Sequence, residues 1–168
     1  MKTNRNSLRK RIKFLSLSAI IAALYVITTY FIAPIASGPI QVRLSEALIA
    51  LAVFTPAAIP GLSVGCLIAN MLMGSMPLDV VFGSLATLIG ALGAYALRRL
   101  PEKIIFIATL PTLISNALIV PFVLIYAYGL DGGYLYFMLT VGLGELVCAV
   151  IGGTLLYPVI KKYRKYIT

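Results

Sequence analysis

The chain has 168 residues, of which 61% are hydrophobic and 11% are charged, and its formal net charge is +9. Soluble domains are about 45–50% apolar and about 25% charged, so this composition excludes an ordinary water-soluble domain. Apart from Arg43, the basic residues form clusters outside the apolar runs, at 2–13, 98–103 and 161–165. This placement follows the positive-inside rule of membrane proteins and argues against a nucleic-acid interface.

The sequence predicts an all-α membrane protein with six transmembrane helices. The apolar runs place these helices at residues 12–32, 40–54, 60–73, 78–97, 104–128 and 134–160. An even number of spans puts both termini and the basic 98–103 loop on the same, cytoplasmic side. We expect one integral membrane domain over residues 1–168, with basic cytoplasmic segments at 1–11 and 161–168.

The sequence lacks the residue patterns of metal binding, disulfide bonding and catalysis. There is no His, and Cys66 and Cys148 lie inside apolar runs, so neither a metal site nor a disulfide framework is indicated. There is also no GxxxxGK[ST] phosphate loop and no nucleophile–base pair. We therefore predict no enzyme activity, no cofactor and no metal. The first apolar run, 14–35, exceeds the roughly 7–15 residues of a signal-peptide core and is interpreted as a span.

Small residues recur four apart in two of the predicted helices. Ala19 and Ala23 do so in the first span, and Gly61 and Gly65 do so in the third. Such a face lets another helix backbone approach closely. From the spacing alone, Ala19 and Ala23 serve either packing within the bundle or the docking of a second protein.

Polar side chains interrupt the apolar runs at seven positions that we predict to form a substrate site. They are Gln41, Arg43, Glu46, Asn70, Asp79, Asn116 and Glu145. An ionised side chain at the centre of a bilayer costs about 2.5–3.5 kcal/mol on insertion scales, so such residues face one another, a wet cavity or a ligand. The predicted topology places all seven in the outward half, with Glu145 about 16 Å along the sixth span. We expect them to line one pocket.

The charges in this group favour a planar, nitrogen-rich ligand. Glu46, Asp79 and Glu145 oppose Arg43 alone, which leaves an excess of negative charge. A carboxylate accepts hydrogen bonds from two adjacent N–H groups, and Asn and Gln offer both a donor and an acceptor to the edge of a ring.

Alternative roles remain open for several of these residues. Arg43 and Glu46, three apart on one predicted helix, are placed to pair with each other. Asp79 follows a turn and is placed to act as a helix N-cap or first-turn residue. Asn70 is placed to bind neighbouring backbone. Glu145 is the most difficult to explain structurally, and its carboxyl group is either an ionised ligand or protonated.

Aromatic residues gather near the last outward turn. They are Tyr126, Tyr128, Tyr134, Tyr136 and Phe137. The tyrosines are typical of the aromatic belt at a membrane interface. The alternative is that one of them, or Phe137, stacks on the ring of a ligand.

Five segments of the chain resemble one known family. They are GPIQVRLSEAL, FTPAAIPGLSVGCLIAN, PLDVVFGSLATLIGA, SNALIV and GELV, and the similarity runs in order over residues 15–160. They are similar to the QueT family, the queuosine-precursor substrate-binding (S) components of energy-coupling factor (ECF) transporters. The resemblance implies a six-helix S-component bundle in the bacterial cell membrane, in contact with lipid, with its substrate site near the outer face.

The same resemblance implies partners and a substrate class. The partners are a transmembrane coupling subunit and two cytoplasmic ATPases, and the family's alanine-xxx-alanine docking face on the first helix is matched by Ala19 and Ala23. The substrates are deazaguanine bases, namely queuine or its aminomethyl and cyano precursors. On the chemistry of such a base, Glu46 or Glu145 would accept from its two N–H groups, and Asn70, Asn116 or Arg43 would donate to its carbonyl. Asp79 would bind an aminomethyl cation.

Two other functions are weighed against this interpretation. The first is a self-sufficient, proton-coupled carrier of a small cationic or heterocyclic solute, with Glu145 as the titrating group. Such carriers commonly contain internal repeats with paired broken helices, and the sequence has no convincing repeat. The second is a membrane assembly subunit that binds no ligand.

Overall fold

The computed structural model describes residues 2–32 and 43–167, and the prediction of an all-α membrane protein is confirmed. Every element in these two ranges is helical, with no strand. The helices are α1 (Lys2–Phe31), α2 (Leu44–Val53), α3 (Ala58–Leu72), α4 (Pro77–Ala96), α5 (Glu102–Tyr126) and α6 (Tyr134–Ile167).

Four of these helices are long and apolar enough to cross a membrane, namely α1 from Arg5 onward, α4, α5 and α6. The other two are shorter. The 15 residues of α3 span about 22 Å, and the 10 residues of α2, which is a 3-10 helix, span about 20 Å. Both values fall short of a hydrocarbon core of about 30 Å. The count of six spans therefore stays a prediction.

Several helix boundaries were predicted wrongly. α1 begins at Lys2 and α6 continues to Ile167, so both basic clusters at the ends of the chain extend a helix. A span predicted from hydropathy ends where charged residues begin. Lys and Arg are good helix formers, so the helix itself continues through them. α2 begins at Leu44, after Arg43 in an extended conformation (φ −100°, ψ 92°), and not near residue 40.

Two of the long helices are irregular. α5 starts with a 3-10 segment, Glu102–Thr109, in which Ile104 departs from helical geometry (φ −120°, ψ 20°). α6 contains a π-helical segment, Leu146–Gly152, immediately after Glu145. π-helical turns inside α-helices occur frequently at functional sites because they displace side chains from the regular register.

The small-residue face of α3 packs against α1. A methyl group added to Gly61 would lie 2.8 Å from the carbonyl oxygen of Ser18, and one added to Gly65 would lie 2.7 Å from Cβ of Tyr25. The glycine pair therefore serves close packing within the bundle, as predicted. Gly61 meets Ser18, and Gly65, one turn later in α3, meets Tyr25, which is also later in α1. The two helices therefore run in the same direction. Ala19 and Ala23 lie outside this contact and are exposed.

The two ends of the bundle differ in character. At one end, the turn between α3 and α4 meets the α5–α6 connection, where the backbone N–H of Met76 donates to the hydroxyl oxygen of Tyr128 at 3.3 Å. At the other end, Lys161 bonds Glu102 at 2.5 Å, joining the end of α6 to the start of α5. The basic clusters at 98–103 and 161–165 belong to this second end. These two basic clusters and the Met76 turn are thus at opposite ends.

Candidate functional site

Glu46 is buried in the first turn of α2 and held through one of its two oxygens. Its side chain is 2% exposed. The Oε1 atom accepts a short hydrogen bond from the Tyr25 hydroxyl of α1 and a second one, at 3.4 Å, from Oγ1 of Thr87 on α4. Among the described residues, Oε2 has no partner. One oxygen is therefore fixed by the protein, and the other is left to accept a hydrogen bond.

Glu145 and Asn116 form a second buried group, on α6 and α5. Their side chains are 4% and 3% exposed. Asn116 is close enough to interact with the Glu145 carboxylate, and Glu145 also interacts electrostatically with Glu46 and Arg43. Within residues 2–32 and 43–167, Oε2 of Glu145 and Nδ2 of Asn116 have no hydrogen-bond partner. A free acceptor and a free donor are thus adjacent in the bundle interior.

Asp79, in the first turn of α4, is the centre of a third group. Nη2 of Arg43 lies 3.5 Å from its Oδ2, and the Tyr128 hydroxyl donates to the same oxygen at 2.9 Å. Nδ2 of Asn70 donates to the backbone carbonyl of Asp79 at 3.3 Å. The other carboxylate oxygen, Oδ1, has no partner in the part of the chain that is described. We call Arg43, Asn70, Asp79 and Tyr128 the Asp79 cluster.

The face of α4 links the Asp79 cluster to Glu46. Asp79, Gly83 and Thr87 are spaced by four residues and so lie along one side of the helix. A methyl group at Gly83 would lie 3.1 Å from Nδ2 of Asn70 and 3.2 Å from Oδ1 of Asp79. The absence of a side chain at this position therefore lets Asn70 and Asp79 pack closely against α4.

Six of the seven predicted site residues are described, and all six are buried or nearly so. They belong to three groups, namely Glu46, the pair of Asn116 and Glu145, and the Asp79 cluster. Arg43 interacts electrostatically with both Glu46 and Glu145. The seventh residue, Gln41, lies outside the described residues.

The structure decides between alternatives that the sequence left open. The proposed Arg43–Glu46 ion pair was wrong, because extended backbone at Arg43 directs its side chain to Asp79. Asp79 is a first-turn residue, and the N-cap alternative was wrong because Met76 holds that position. Asn70 binds neighbouring backbone, as one alternative suggested.

Sequence reasoning missed three polar partners of the predicted residues, Tyr25, Thr87 and Tyr128, and the close packing of Asn70 and Asp79 at Gly83. Tyr25 and Thr87 are hydroxyl residues inside apolar runs, where hydroxyls are common and carry little signal. Tyr128 was assigned to the interfacial belt, and it instead donates to Asp79. The four-residue spacing of Asp79, Gly83 and Thr87 is a signal that was available in the sequence.

The remaining aromatic residues do not join these groups. Tyr126 is 75% exposed and Tyr136 is also exposed, as expected of an interfacial belt. Phe137 is buried in an apolar cluster with Val120 and Leu124. Stacking of any of these rings on a ligand stays a prediction.

The arrangement suits a ligand that has several N–H groups and at least one acceptor. Within residues 2–32 and 43–167, three buried carboxylate oxygens, on Glu46, Asp79 and Glu145, and one amide donor, on Asn116, have no partner. Buried polar groups in folded proteins are normally paired, so these atoms are available to a partner outside the described residues. A further unpaired oxygen, Oγ1 of Thr112, faces Gly90 on α4. Among the described residues, no group of His, Cys, Asp and Glu is arranged to hold a metal ion.

Comparison with known proteins gives the family of this chain. A family model described as QueT transporter matches residues 15–162. The queuosine precursor transporter QueT of Lactococcus lactis subsp. cremoris (strain MG1363) is 41% identical over 87 residues, a match covering 50% of this chain and 51% of that protein. The chain thus spans about half the length of the curated relative that it matches. No solved structure matches it significantly. Because the family model covers most of its residues, the chain belongs to the QueT transporter family.

Proposed function

We propose that this chain is the substrate-binding component of an ECF-type importer and that it binds deazaguanine bases, the precursors of queuosine. One observation carries this proposal. Four buried polar atoms, three acceptors on Glu46, Asp79 and Glu145 and one donor on Asn116, have no partner among the described residues. A deazaguanine is a compact planar ring with several N–H donors and one carbonyl acceptor, so it offers the complementary groups.

The pairing of groups favours a specific orientation of the base. Two parallel N–H groups of the ring, next to its carbonyl, form an edge that needs a carboxylate beside an amide donor. Glu145 and Asn116 are neighbours of this kind. Asn70 and Arg43 are less suitable for the carbonyl, because they already bind Asp79. We therefore assign Glu145 to the N–H groups and Asn116 to the carbonyl.

Family membership supports the same substrate class. The Lactococcus relative is named as a queuosine precursor transporter, and its match covers half of each chain. We extend that substrate class to this chain on the strength of both the family and the chemistry of the buried groups. The alternative of a proton-coupled carrier rests on Glu145 alone and leaves the Asn116 donor unexplained.

The transport step requires partners. We propose that a transmembrane coupling subunit docks on the exposed face of α1 that contains Ala19 and Ala23, and that two ATPase subunits supply the energy. Small residues on an exposed helix face allow close approach of a partner helix in a membrane. The remaining exposed apolar surface would contact lipid. Both termini and the basic end of the bundle would lie in the cytoplasm, and the Asp79 cluster would face outward.

Ligand binding by the purified full-length chain tests the proposal. We expect queuine, 7-aminomethyl-7-deazaguanine or 7-cyano-7-deazaguanine to raise its melting temperature and to bind in calorimetry, whereas adenine, which lacks the carbonyl and its adjacent N–H, does not. At a ligand concentration about 100 times the Kd, stabilisation of about 2.7 kcal/mol is expected. Failure of all three bases to bind would overturn the proposal.

Uptake into vesicles tests the coupling. We expect accumulation of the base only when the chain is reconstituted with a coupling subunit, ATPases and internal ATP. Uptake by the chain alone, driven by a pH gradient, would instead support the proton-coupled carrier.

A further inference from the structure

We propose that Glu46 recognises a cationic amine on the substituent of the substrate, and that it thereby makes the site selective for amine-bearing bases over neutral ones. This inference rests on the proposed function and assigns the selectivity of the same site.

The hydrogen bonds of Glu46 make it unsuited to the edge of the ring. A carboxylate that accepts from two parallel N–H groups uses both of its oxygens. Oε1 of Glu46 already accepts from Tyr25, and it lies 3.4 Å from Oγ1 of Thr87, which shares its one hydrogen between Oε1 and the carbonyl oxygen of Gly83. Only Oε2 is free. A single free oxygen matches a point-like ammonium group, which donates from one nitrogen.

Glu145 does not have this restriction. Within residues 2–32 and 43–167, it has no hydrogen bond comparable to the Tyr25 bond of Glu46, and the amide nitrogen of its neighbour Asn116 has no partner there. We therefore assign the binding of the ring edge to Glu145 and Asn116. The two carboxylates are thus distinguished by their partners and not by their residue type.

The excess of carboxylates over cations in the site favours a cation in addition to the base. Glu46 and Glu145 interact electrostatically with each other, and the Arg43 guanidinium forms its ion pair with Asp79. Within the described ranges, neither Glu46 nor Glu145 has an ion-pair partner. Buried charges in proteins are normally paired, and a neutral ring bound at Glu145 would leave the negative charge of Glu46 uncompensated. An ammonium group on the substituent supplies the opposite charge.

A matched pair of ligands isolates the contribution of the amine. 7-Aminomethyl-7-deazaguanine and 7-cyano-7-deazaguanine have the same ring, and they differ in a substituent that is cationic in the first and neutral in the second. We expect the wild-type chain to bind the aminomethyl compound about 10–100-fold more tightly, the range of a hydrogen bond to a charged group. We expect Glu46→Gln to abolish this preference while changing the affinity for the cyano compound less than about 3-fold.

Two variants serve as controls. Glu102→Gln removes an exposed carboxylate at the opposite end of the bundle and should leave both affinities unchanged. Glu46→Asp retains the charge and should retain a preference for the amine, which separates the effect of charge from that of a disturbed fold. Melting temperatures of all variants without ligand report folding.

The outcomes separate this inference from the proposed function. Equal affinity of the wild-type chain for the two compounds overturns the role of Glu46 and leaves the proposed function intact. Equal weakening of both compounds by Glu46→Gln also overturns it, because Glu46 would then bind the ring. Absence of binding by any deazaguanine overturns the proposed function itself. If Glu46→Gln does not fold, the wild-type comparison and Glu46→Asp still decide the question.

Discussion

Tyr25 in α1 donates its hydroxyl hydrogen to Oε1 of Glu46 in α2, and both side chains are buried. This bond fixes one oxygen of the carboxylate and leaves the other free. It also connects the candidate site to the helix that presents Ala19 and Ala23 on its exposed side. Tyr25 lies two residues beyond Ala23, about 200° around the helix, so α1 contacts the site with one face and is open on the other.

Replacing Tyr25 with Phe tests how the Glu46 carboxylate is oriented. Tyr25→Phe leaves Oε1 with only the 3.4 Å bond from Thr87. We expect a loss of about 1–3 kcal/mol in folding stability, because a buried acceptor loses its main donor. Affinity for the aminomethyl compound should fall as well, because Tyr25 orients the carboxylate that we assign to its amine. Tyr30→Phe, on the same helix and exposed, is the control and should melt like the wild type. An unchanged melting temperature for Tyr25→Phe would contradict this role.

Replacing Glu145 with Gln tests the recognition of the ring edge. An amide has one acceptor oxygen, so Glu145→Gln cannot accept from two parallel N–H groups. We expect the affinity for all deazaguanines to fall about 10–100-fold, irrespective of their substituent. Calorimetry with the aminomethyl and cyano compounds measures this. If Glu145→Gln and Glu46→Gln both bind with unchanged affinity, recognition by carboxylates is wrong.

Replacing Gly83 with Ala tests the space beside Asp79. The added methyl would lie 3.1 Å from Nδ2 of Asn70 and 3.2 Å from Oδ1 of Asp79. Gly142→Ala is the control, because its methyl would meet only Cβ of Ala117 at 3.8 Å. Ala has a higher helix propensity than Gly, so the control should be neutral or stabilising. We expect Gly83→Ala to be about 1–3 kcal/mol less stable than the control in thermal unfolding. Equal stability of the two variants would show that the neighbours of Gly83 move without cost.

Replacing Ala19 with Trp tests the proposed docking face. Ala19→Trp should prevent co-purification with the coupling subunit, because a large ring separates the two helices. Ligand affinity should stay unchanged, since Ala19 is exposed and distant in sequence from the site residues. Leu24→Trp places the same ring on another exposed part of α1 and should assemble normally. Normal assembly of Ala19→Trp would reject this face.

The Tyr128–Asp79 bond should depend on pH. Partial burial, together with the negative charge of Asp79, raises the pKa of Tyr128 above its ordinary value. A phenol donates only while protonated, so this bond contributes fully below the unfolded pKa of about 10 and is lost as the pH rises through the higher folded value. We expect the difference in melting temperature between wild type and Tyr128→Phe to stay constant up to about pH 10 and to shrink above it. A difference that shrinks from neutral pH onward would contradict the assigned shift.

The sequence by itself determined the class of the protein and predicted which residues form its site. Long apolar runs interrupted by Glu46, Asn116 and Glu145 stand out, because ionised and amide groups are costly in a membrane and are rarely placed there without a function. The basic clusters predicted an orientation through the positive-inside rule. These inferences depend on residue type and position along the chain, which the sequence states directly.

Only the tertiary structure decided which groups pair and which remain free. Arg43 forms its ion pair with Asp79 and not with Glu46, which is nearer in sequence. Tyr25 donates to one oxygen of Glu46, so Glu46 and Glu145 have different partners although they are the same residue type. The 3-10 geometry of α2 and the π-helical segment after Glu145 are likewise set by packing. These features depend on how separate helices approach one another in space, and neither hydropathy nor residue spacing encodes that approach.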